Sequence, residues 1–597
     1  MIRNENPLIA EERNTEPILL NGVWDFEFDD NNVGHKRHWY KKHVYSRRIE
    51  VPFAFQTNAS GINETGFHDH MWYHKILKNI KHKKNERVIL CFNGVDYECE
   101  VYFNGSLVKL HRGSATSFEV DITDFLKATN DISIYCFDPS TREDMPRGKQ
   151  YWKEKSESIW YNRTSGIYKS VFIKVLNETH LSSCFIIPDI DKGSVNISAN
   201  FTENVNDCKI CIKDKEDKII NSVTSFINAK DISITLDVWK NEILNTYIHN
   251  TEKLWSPENP YLYSLEIELL NNKGKVLDIY KTHFGMRKIS TEQGIVCLNN
   301  RPYMQKLVLI QGYYMNGLLT PTSVDEYKKD ILLAKELGFN GCRLHQKVEE
   351  PYFYYLCDLL GFIVWCEYPS AASFSKRLVR EQIVEWRDVV LQNFNHPSIV
   401  TWVPTNESWG VPQIKSDICQ QEFALSLYHL TKSIDSSRLV VSNDGWEMVD
   451  TDLCCIHNYS HGGENEIDKK HHFIEDTSNV SSIIKATPAG RNIFADGYAY
   501  HGQPILLTEF GGISYSTSPS NGWGYTATSS LAEFEETLNR IYKSIRNSTA
   551  IVGYCYTQLY DVESEQNGLL NYDRSYKFNS KIFKALNDNV IVPTKIK

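Results

Sequence analysis

The sequence has no apolar run near the roughly 18 residues that a membrane-spanning helix requires. Its first residues, MIRNENPLIAEERNTEPILL, also lack the apolar core of a secretory signal peptide. The formal charge of −10 is spread over both signs and leaves no basic stripe for a nucleic-acid backbone. We therefore expect a soluble, cytoplasmic protein that binds neither membranes nor nucleic acids.

Regular cysteine spacing is absent as well. Fourteen cysteines are scattered along the 597 residues, many of them inside apolar runs, which is typical of reduced core thiols. Cys208 and Cys211 form one C-x-x-C pair, but no second pair or histidine cluster lies near them in the sequence. We interpret this pair as structural and expect no metal there.

The first half of the chain is rich in strand signals. In RVILCFNGVDYECEVYFNGSLVKL, Asn93-Gly94 and Asn104-Gly105 are hairpin signals between alternating apolar residues, and we predict a β-sandwich over residues 1–176. Residues 177–286 form a second strand-rich block, with a clean alternating strand in LWSPENPYLYSLEIELL. Its length suits a seven-stranded immunoglobulin-like sandwich.

Residues 287–597 have a different rhythm, because apolar strand-like runs now alternate with helical patterns. DEYKKDILLAKELGF, for example, places Tyr327, Ile331, Ala334 and Leu337 on one helical face. The repeat predicts a (β/α)8 barrel, or TIM barrel, with its site at the carboxyl-terminal strand ends and its longest insertion at 460–500. The eight runs span residues 307–314, 338–346, 361–369, 399–408, 438–446, 453–460, 504–512 and 552–561.

Two of these runs carry a glutamate near their carboxyl-terminal end. Asn406-Glu407 closes the fourth run and Thr508-Glu509 closes the seventh, so both carboxylates should point into one barrel opening. Cleavage of a glycosidic bond needs such a pair, one acid to protonate the leaving oxygen and one carboxylate to attack or to activate water. Two solvated loop glutamates are the alternative, but two at strand ends of one barrel favour catalysis.

Other polar and aromatic residues follow the predicted strands. An amide beside the acid, as at Asn406, can hydrogen-bond a sugar hydroxyl. Trp409 and Trp446 could stack on a sugar or simply pack at the rim. We also expect the strand-end residues Gln311, His457 and Gln558 to contact the substrate.

Several longer motifs resemble those of glycoside hydrolase family 2, the family of lacZ-type β-galactosidases, β-glucuronidases and β-mannosidases. They are NGVWDFEFD, PRGKQYW and RTSGIYKSVFI in the first block, LWSPENPYLY and FGMRKI in the second, and HQKVEEPYF, NHPSIVTWVPTNESWG and TEFGG in the third. The resemblance covers nearly the whole chain. It implies a jelly-roll domain, an immunoglobulin-like domain and a catalytic TIM barrel.

The same resemblance implies a retaining mechanism with Glu509 as nucleophile and Glu407 as acid/base, which must be protonated when substrate binds. It also implies that Arg343 supports the nucleophile, that His345 lies near the sugar and that Tyr459 hydrogen-bonds the nucleophile. Structurally, Arg343 and His345 could instead cap the barrel, and Tyr459 could be a core tyrosine. The retaining mechanism needs no metal or cofactor.

The sequence departs from the family where sugars are distinguished. Residues 566–570, QNGLL, lack the lysine of the Asn-x-Lys motif with which β-glucuronidases bind a sugar carboxylate, so a uronate is disfavoured. Ile310 stands where a polar residue usually meets the sugar, and Trp160, Tyr161 and Asn162 replace an acidic residue of the lacZ type.

We therefore predict a retaining exo-β-glycosidase, and on family frequency a β-galactosidase. A β-mannosidase, an arabinopyranosidase or a carbohydrate-binding protein without turnover are the alternatives. The family implies a dimer or tetramer.

Overall fold

The structure is a computed structural model of the chain that describes residues 3–239, 248, 250–463, 466–515 and 522–592. Two groups of strands are followed by one group in which strands and helices alternate. The fourteen cysteines are free thiols, and all but Cys419 are buried. None of the described helices is long and apolar enough to cross a membrane.

The first group of strands forms a sandwich of two antiparallel sheets. One sheet has the strand order Ile18–Leu19, Val171–Asn177, Glu86–Phe92, Phe118–Asp121. The other has the order Arg47–Val51, Gly22–Phe28, His70–Lys78, Thr129–Phe137, Glu98–Phe103, Ser106–Arg112. Short elements complete it, namely the paired strands Val95–Asp96 and Gly166–Ile167 and the 3-10 turns Asn58–Ser60 and Thr123–Phe125. Phe26, Leu90 and Ile173 are buried in the cluster between the two sheets.

One of the two predicted hairpin turns is confirmed. Asn104 and Gly105, with φ of 51° and 80°, join two adjacent antiparallel strands, as a two-residue hairpin requires. The prediction for Asn93-Gly94 is wrong, because the strands on either side of it lie in different sheets. Both edges of Glu86–Phe92 are already paired with other strands, so the chain cannot fold back beside it.

The second group forms a sandwich with fewer strands than the seven predicted. Five are described, Leu181–Asp189, Ser194–Lys213, Ile219–Asp237, Tyr263–Leu270 and Val276–Phe284, with a 3-10 turn at Thr251–Lys253. The count is lower because a long strand here pairs along its two halves with different partner strands. The first half of Ser194–Lys213 pairs with Leu181–Asp189 and its second half with Tyr263–Leu270, with irregular register between them. Tyr263–Leu270 buries every second residue, as its alternating sequence predicts.

The third group is the predicted barrel, with eight parallel strands in one sheet. Each strand overlaps one of the eight predicted runs, and neighbouring strands pair in barrel order except the fifth and the sixth. Between the fifth and sixth strands the described residues form no ladder, and the Asp452 amide donates to the Val440 carbonyl there at 3.0 Å. In chain order the strands are Gln305–Ile310, Gly341–Leu344, Ile363–Glu367, Ile399–Val403, Leu439–Val440, Cys454–His457, Ile505–Gly511 and Ile551–Thr557.

Helices surround this sheet. They are α1 (Asp325–Glu336), α2 (Pro351–Leu360), α3 (Lys376–Gln392), α4 (Ile418–Ile434), α5 (Ile467–Asp476), α6 (Val480–Lys485), α7 (Leu531–Asn547) and α8 (Ser580–Asp588). The predicted face of α1 is buried. The segment between the fifth and sixth strands, residues 441–453, contains no helix, unlike a regular repeat. The insertion at 460–500 carries α5, α6 and a 3-10 turn at Pro488–Gly490.

Short strands flank the barrel core. A three-stranded meander of Ile289–Glu292, Ile295–Leu298 and Arg301–Pro302 precedes the first barrel strand. Ile513–Ser514 and Thr526–Ala527 pair after the seventh.

Candidate active site

Glu407 and Glu509 meet at the carboxyl-terminal end of the barrel, which we call the mouth. One carboxylate oxygen of each glutamate and one ring nitrogen of His457 all lie within 4.8 Å of one another. The Glu407 side chain is 15% exposed and that of Glu509 is 5% exposed. The structure thus brings the two predicted carboxylates into one small, largely enclosed site.

The backbone at Glu407 has an unusual conformation. Glu407 and Ser408 have φ of 51° and 59°, a left-handed region that costs a residue other than glycine on the order of 1–3 kcal/mol. Their amides donate to the Asp444 carbonyl at 2.8 Å and to Asn443 Oδ1 at 2.9 Å, which holds this turn in place. Strained backbone of this kind clusters at functional sites.

Both oxygens of Glu509 accept hydrogen bonds, one from the buried Arg343 and one from the half-buried Tyr459. Arg343 Nη1 donates to Oε1 at 3.0 Å, and the Tyr459 hydroxyl donates to Oε2 at 2.6 Å. The Tyr459 ring stacks on Tyr525 with 3.5 Å between ring centroids, which fixes its position. The predicted contact between Tyr459 and Glu509 is therefore present in the structure.

His457 lies between three carboxylates. Its Nδ1 is 2.7 Å from Glu407 Oε1 and 3.5 Å from Glu509 Oε2, and its Nε2 is 3.3 Å from Asp444. Burial lowers the pKa of His457, but the charges of Glu509 and Asp444 outweigh burial and raise this pKa to about 10. The ring packs so closely on Gly445 that a Cβ there would lie 2.7 Å from Nδ1. His457 is thus a buried cation at neutral pH.

This cation changes the protonation of Glu407. Burial raises the pKa of the Glu407 carboxyl, but the hydrogen bond and charge of His457, with smaller contributions from Lys149 and His345, lower it overall. In the free site Glu407 is therefore a carboxylate, and the shared proton lies on His457. The predicted protonation of Glu407 concerns the site with substrate bound and stays a prediction.

Three buried polar atoms at the mouth have no hydrogen-bond partner among the described residues. They are Asn406 Nδ2, Gln311 Oε1 and Trp446 Nε1. Each such group costs about 1–3 kcal/mol if it stays unpaired. All three belong to residues that the sequence predicts as substrate contacts, and each needs a further polar partner to complete its hydrogen bonding.

Three predicted substrate contacts are enclosed by protein instead, and the first is His457, whose two ring nitrogens face carboxylates. The other two are Arg343 and Gln558. Arg343 is fully buried, and its guanidinium is occupied by Glu509, Glu367, Asp444 and Asn406. Gln558 is fully buried and accepts a hydrogen bond from Gln311 at 2.8 Å while donating to Asn567 at 2.7 Å. These two residues position their neighbours and do not face the mouth.

Aromatic and polar residues of the first domain reach the mouth. Trp409, half-buried, meets the edge of Trp160 at 5.0 Å. Tyr161 is fully buried and donates to Glu565, and Asn162 donates to Glu563 at 2.7 Å. Tyr161 and Asn162 therefore join the two domains.

His345 lies beside the mouth with a low exposure. Its Nδ1 is 3.0 Å from Glu367 Oε2, and its side chain is 5% exposed. The described residues offer no partner for its other ring nitrogen, so His345 keeps one group for a ligand.

Three further residues of the site were not among those predicted from the sequence. Glu367 and Asp444 both bind Arg343, and both stand at or just beyond the end of a barrel strand, the third and the fifth. The strand-end rule that identified the two glutamates could have found them. Lys149 comes from the first domain, where the barrel repeat gives no signal.

Family models match three successive parts of the chain. The sugar binding domain of glycosyl hydrolases family 2 matches residues 18–176, a second domain of that family matches 179–287, and its TIM barrel domain matches 320–525. The chain belongs to glycosyl hydrolases family 2. Family 2 membership agrees with the two sandwiches and the barrel described above.

Its relatives carry two different names. A beta-galactosidase of Thermoanaerobacter pseudethanolicus is 26% identical over 71% of this chain and 53% of its own length. A beta-glucuronidase of Streptococcus agalactiae is 22% identical over 91% of this chain and 90% of its own. A solved b-glucuronidase from Ruminococcus gnavus has a TM-score of 0.77 at 17% identity, covering 98% and 99% of the two chains, and shows the shared fold. The chain spans about half the length of the first curated relatives that it matches.

Proposed function

We propose that the protein is a retaining exo-β-glycosidase. The supporting observation is the spacing of Glu407 and Glu509, which have carboxylate oxygens within 4.8 Å of each other. Retaining enzymes hold their two carboxyl groups about 5–5.5 Å apart, whereas inverting enzymes need roughly 6.5–9.5 Å to fit a water between them. The short spacing supports direct attack by one carboxylate on the sugar.

In the proposed first step, Glu509 attacks the anomeric carbon and forms a covalent glycosyl ester. The bond from that carbon to the leaving oxygen breaks, and the leaving oxygen takes a proton from Glu407. In the second step the Glu407 carboxylate removes a proton from water, and the resulting oxygen displaces Glu509 from the same carbon. Two displacements return the sugar with its original configuration.

The surrounding residues support these roles. Arg343 and Tyr459 fix the two oxygens of Glu509, and Asn406 offers its free amide to a hydroxyl next to the reacting carbon. His457 carries the proton that Glu407 must gain before the first step, and it is 2.7 Å away. Its positive charge then favours the carboxylate form that the second step requires.

For the sugar we keep the β-galactoside as first candidate. The names of the relatives include both beta-galactosidase and beta-glucuronidase. β-Mannosides and arabinopyranosides are the further candidates from the sequence. A panel of 4-nitrophenyl glycosides with one common leaving group would rank these sugars by kcat/KM.

The decisive test combines this panel with Glu509→Gln. We expect the variant to lose on the order of 10⁵-fold in kcat on the best substrate, because no other group can form the glycosyl ester. NMR of the first product formed should show the β-anomer. Unchanged turnover by the variant, or an α-anomer first, would contradict the proposal.

A carbohydrate-binding protein without turnover is the competing function from the sequence. It predicts saturable sugar binding with no release of 4-nitrophenol by the intact protein. The domain limits at residues 176 and 286, the cytoplasmic location and the dimer or tetramer stay predictions.

A further inference from the structure

Three successive residues after the fifth barrel strand enclose His457. Oδ1 of Asp444 lies 3.3 Å from His457 Nε2, and the Trp446 ring packs edge-on against the imidazole with 5.7 Å between ring centroids. Between them, the Gly445 carbonyl accepts the His457 amide at 3.3 Å, and the glycine leaves no room for a Cβ beside Nδ1. His457 is 1% exposed. Its ring is therefore held with Nε2 towards Asp444 and Nδ1 towards Glu407.

The contacts of Arg343 decide which group is the partner of Nε2. Arg343 Nη1 lies 3.4 Å from His457 Nε2 and carries two hydrogens. Both hydrogens have closer acceptors, namely the Thr508 carbonyl at 2.8 Å and Glu509 Oε1 at 3.0 Å. Arg343 thus has no hydrogen left for Nε2. Nε2 therefore carries its own proton, for which the Asp444 carboxylate is the acceptor.

The other ring nitrogen also faces carboxylates. Nδ1 lies 2.7 Å from Glu407 Oε1 and 3.5 Å from Glu509 Oε2, so it carries a proton in the free site as well. This agrees with the pKa of His457, which burial lowers but the charges of Glu509 and Asp444 raise. Of the ionisable groups that face the ring from the ends of four strands, only Arg343 opposes this charge. Two further groups, Lys149 and His345, add positive charge at Glu407.

Asp444 is itself held as a carboxylate. The Thr508 hydroxyl donates to its Oδ1 at 2.6 Å, and Arg343 Nε lies 2.9 Å from its Oδ2. Burial raises the pKa of Asp444, but the charges of Arg343 and His457 outweigh burial and hold this pKa well below its usual range. The backbone carbonyl of Asp444 also accepts the Glu407 amide at 2.8 Å. Asp444 therefore positions His457 through its side chain and Glu407 through its backbone.

We propose that Asp444 is a positioning residue of the acid/base step. By keeping the Nε2 proton of His457 in place, it leaves Nδ1 to give a proton to Glu407 and to take it back. This inference rests on the proposed glycosidase function. The hydrogen bond at one ring nitrogen of a histidine determines what the other nitrogen can do, and a buried aspartate has this role beside the histidine of serine proteases.

The protons balance over the proposed cycle. Before the first displacement, the proton on Nδ1 moves to Glu407 Oε1 across the 2.7 Å between the two atoms, and Glu407 then gives it to the leaving oxygen. In the second displacement, Glu407 removes a proton from water and returns it to Nδ1. The proton on Nε2 stays beside Asp444 throughout, so the site ends with the protons with which it began.

The test is Asp444→Asn, which keeps the size and the backbone contacts but removes the charge. The amide of asparagine can donate to Nε2, which leaves the only ring proton on Nδ1 and blocks its transfer. We expect the alkaline limb of kcat/KM on a 4-nitrophenyl glycoside to move to lower pH by about 1–3 pH units, the effect of one opposite charge at this distance. At pH 8, kcat/KM should fall about 10- to 100-fold, part of what general acid catalysis contributes.

Glu367→Gln is the matched control. Glu367 is also a buried carboxylate bound to Arg343, with Oε1 2.7 Å from Nε, but within the described residues it makes no hydrogen bond or ion pair with His457. This variant should lower kcat/KM, because Arg343 holds Glu509, and should leave the alkaline limb in place.

The leaving group supplies a second control. A 2,4-dinitrophenolate departs without a proton, so on the 2,4-dinitrophenyl glycoside of the same sugar Asp444→Asn should lose much less than on the 4-nitrophenyl glycoside. Thermal unfolding shows which variants are folded.

Three results would overturn the inference and leave the glycosidase function intact. In the first, Asp444→Asn keeps the alkaline limb and loses equally on both leaving groups, which would make Asp444 a support of Arg343 only. In the second, Glu367→Gln moves the limb as far as Asp444→Asn does, which would make the shift a general effect of charge. The third needs no variant, and it is an intact protein whose kcat/KM on the 4-nitrophenyl glycoside already declines below about pH 7, because the proton would then lie on Glu407 alone. Absence of turnover on every glycoside by folded intact protein would instead contradict the proposed function.

Discussion

Two clusters in this protein combine histidine with carboxylate and differ in which group is in excess. At the mouth, Glu407 and Glu509 share one histidine, His457, whereas at the junction of the second domain and the barrel His283 and His396 share one carboxylate, Asp358. Each cluster offers three ligand atoms within 4.8 Å. Their residue types alone would not separate them.

The hydrogen bonding separates the two clusters. Asp358 Oδ2 is 2.8 Å from His283 Nε2 and 2.6 Å from His396 Nδ1, and Oδ1 accepts from the Ser398 amide at 3.0 Å. Every oxygen there has a partner. The mouth instead keeps unpaired groups such as Asn406 Nδ2, and it holds Glu407 in strained backbone. A saturated cluster holds two domains together, and an unsaturated one is prepared for a ligand.

Among the changes that test this comparison, Glu407→Gln should have the largest effect, because it removes the proposed acid/base from the mouth. We expect kcat/KM to fall about 10²- to 10⁴-fold on alkyl glycosides, because protonation of a poor leaving group contributes that much. Substrates with a strongly acidic phenol as leaving group need less protonation and should lose less in the first step. Stability should stay near that of the intact protein, and a large drop in melting temperature would make Glu407 structural.

His457→Gln should change the pH dependence of the reaction. In the intact protein the proton shared with Glu407 lies on His457, whose pKa is raised to about 10. Activity should therefore persist into alkaline solution. Without His457 the proton must stay on Glu407 itself, and the alkaline limb of kcat/KM should move to lower pH, towards the range of a buried carboxyl. A limb that does not move would show that the two groups titrate separately.

The barrel was predictable because its signal is repeated and local. Several of the buried runs carry a carboxylate at or near their carboxyl-terminal end, so the rule that found Glu407 and Glu509 reaches Glu367 and Asp444 as well. The turn at Asn93-Gly94 failed for a different reason, since whether two strands pair depends on which strands already occupy their edges. That information comes from distant parts of the chain.

The sequence predicted which residues lie in the site better than it predicted what each residue does there. Gln311 and Gln558 both follow a barrel strand. The side-chain oxygen of Gln311 has no hydrogen-bond partner, whereas the side chain of Gln558 is fully hydrogen-bonded. The layering of side chains in the barrel sets this difference. The charge of His457 depends on three carboxylates that come from three different strand ends. Lys149 reaches the mouth from another domain, which no periodicity in the barrel can indicate.

Asp358→Asn tests the second cluster, at the junction of the second domain and the barrel. Burial raises the pKa of Asp358, but the charges and hydrogen bonds of His396 and His283 outweigh it and hold this pKa well below its usual range. Removing one partner of a buried ion pair costs about 3–5 kcal/mol, and we expect a loss near the lower figure in the free energy of unfolding at pH 7. The kcat of folded variant should be unchanged, and a loss of kcat with full stability would contradict the separation of roles.

The pH dependence of that loss has a defined sign. Because the folded-state pKa of Asp358 is below its unfolded value of about 3.9, its contribution is present above pH 4 and disappears as the pH falls through the folded value. The unfolding curves of the intact protein and Asp358→Asn should therefore converge in acid. Curves that stay parallel down to low pH would rule out the carboxylate charge as the cause.

The smallest effect should come from His283→Gln. His283 is half-buried on the last strand of the second domain and makes one of the three contacts to Asp358, while His396 and the Ser398 amide remain. Loss of that contact should lower the free energy of unfolding by about 1 kcal/mol, measured by urea denaturation. A loss as large as that of Asp358→Asn would mean that the histidine charge, rather than this one hydrogen bond, holds the two domains together.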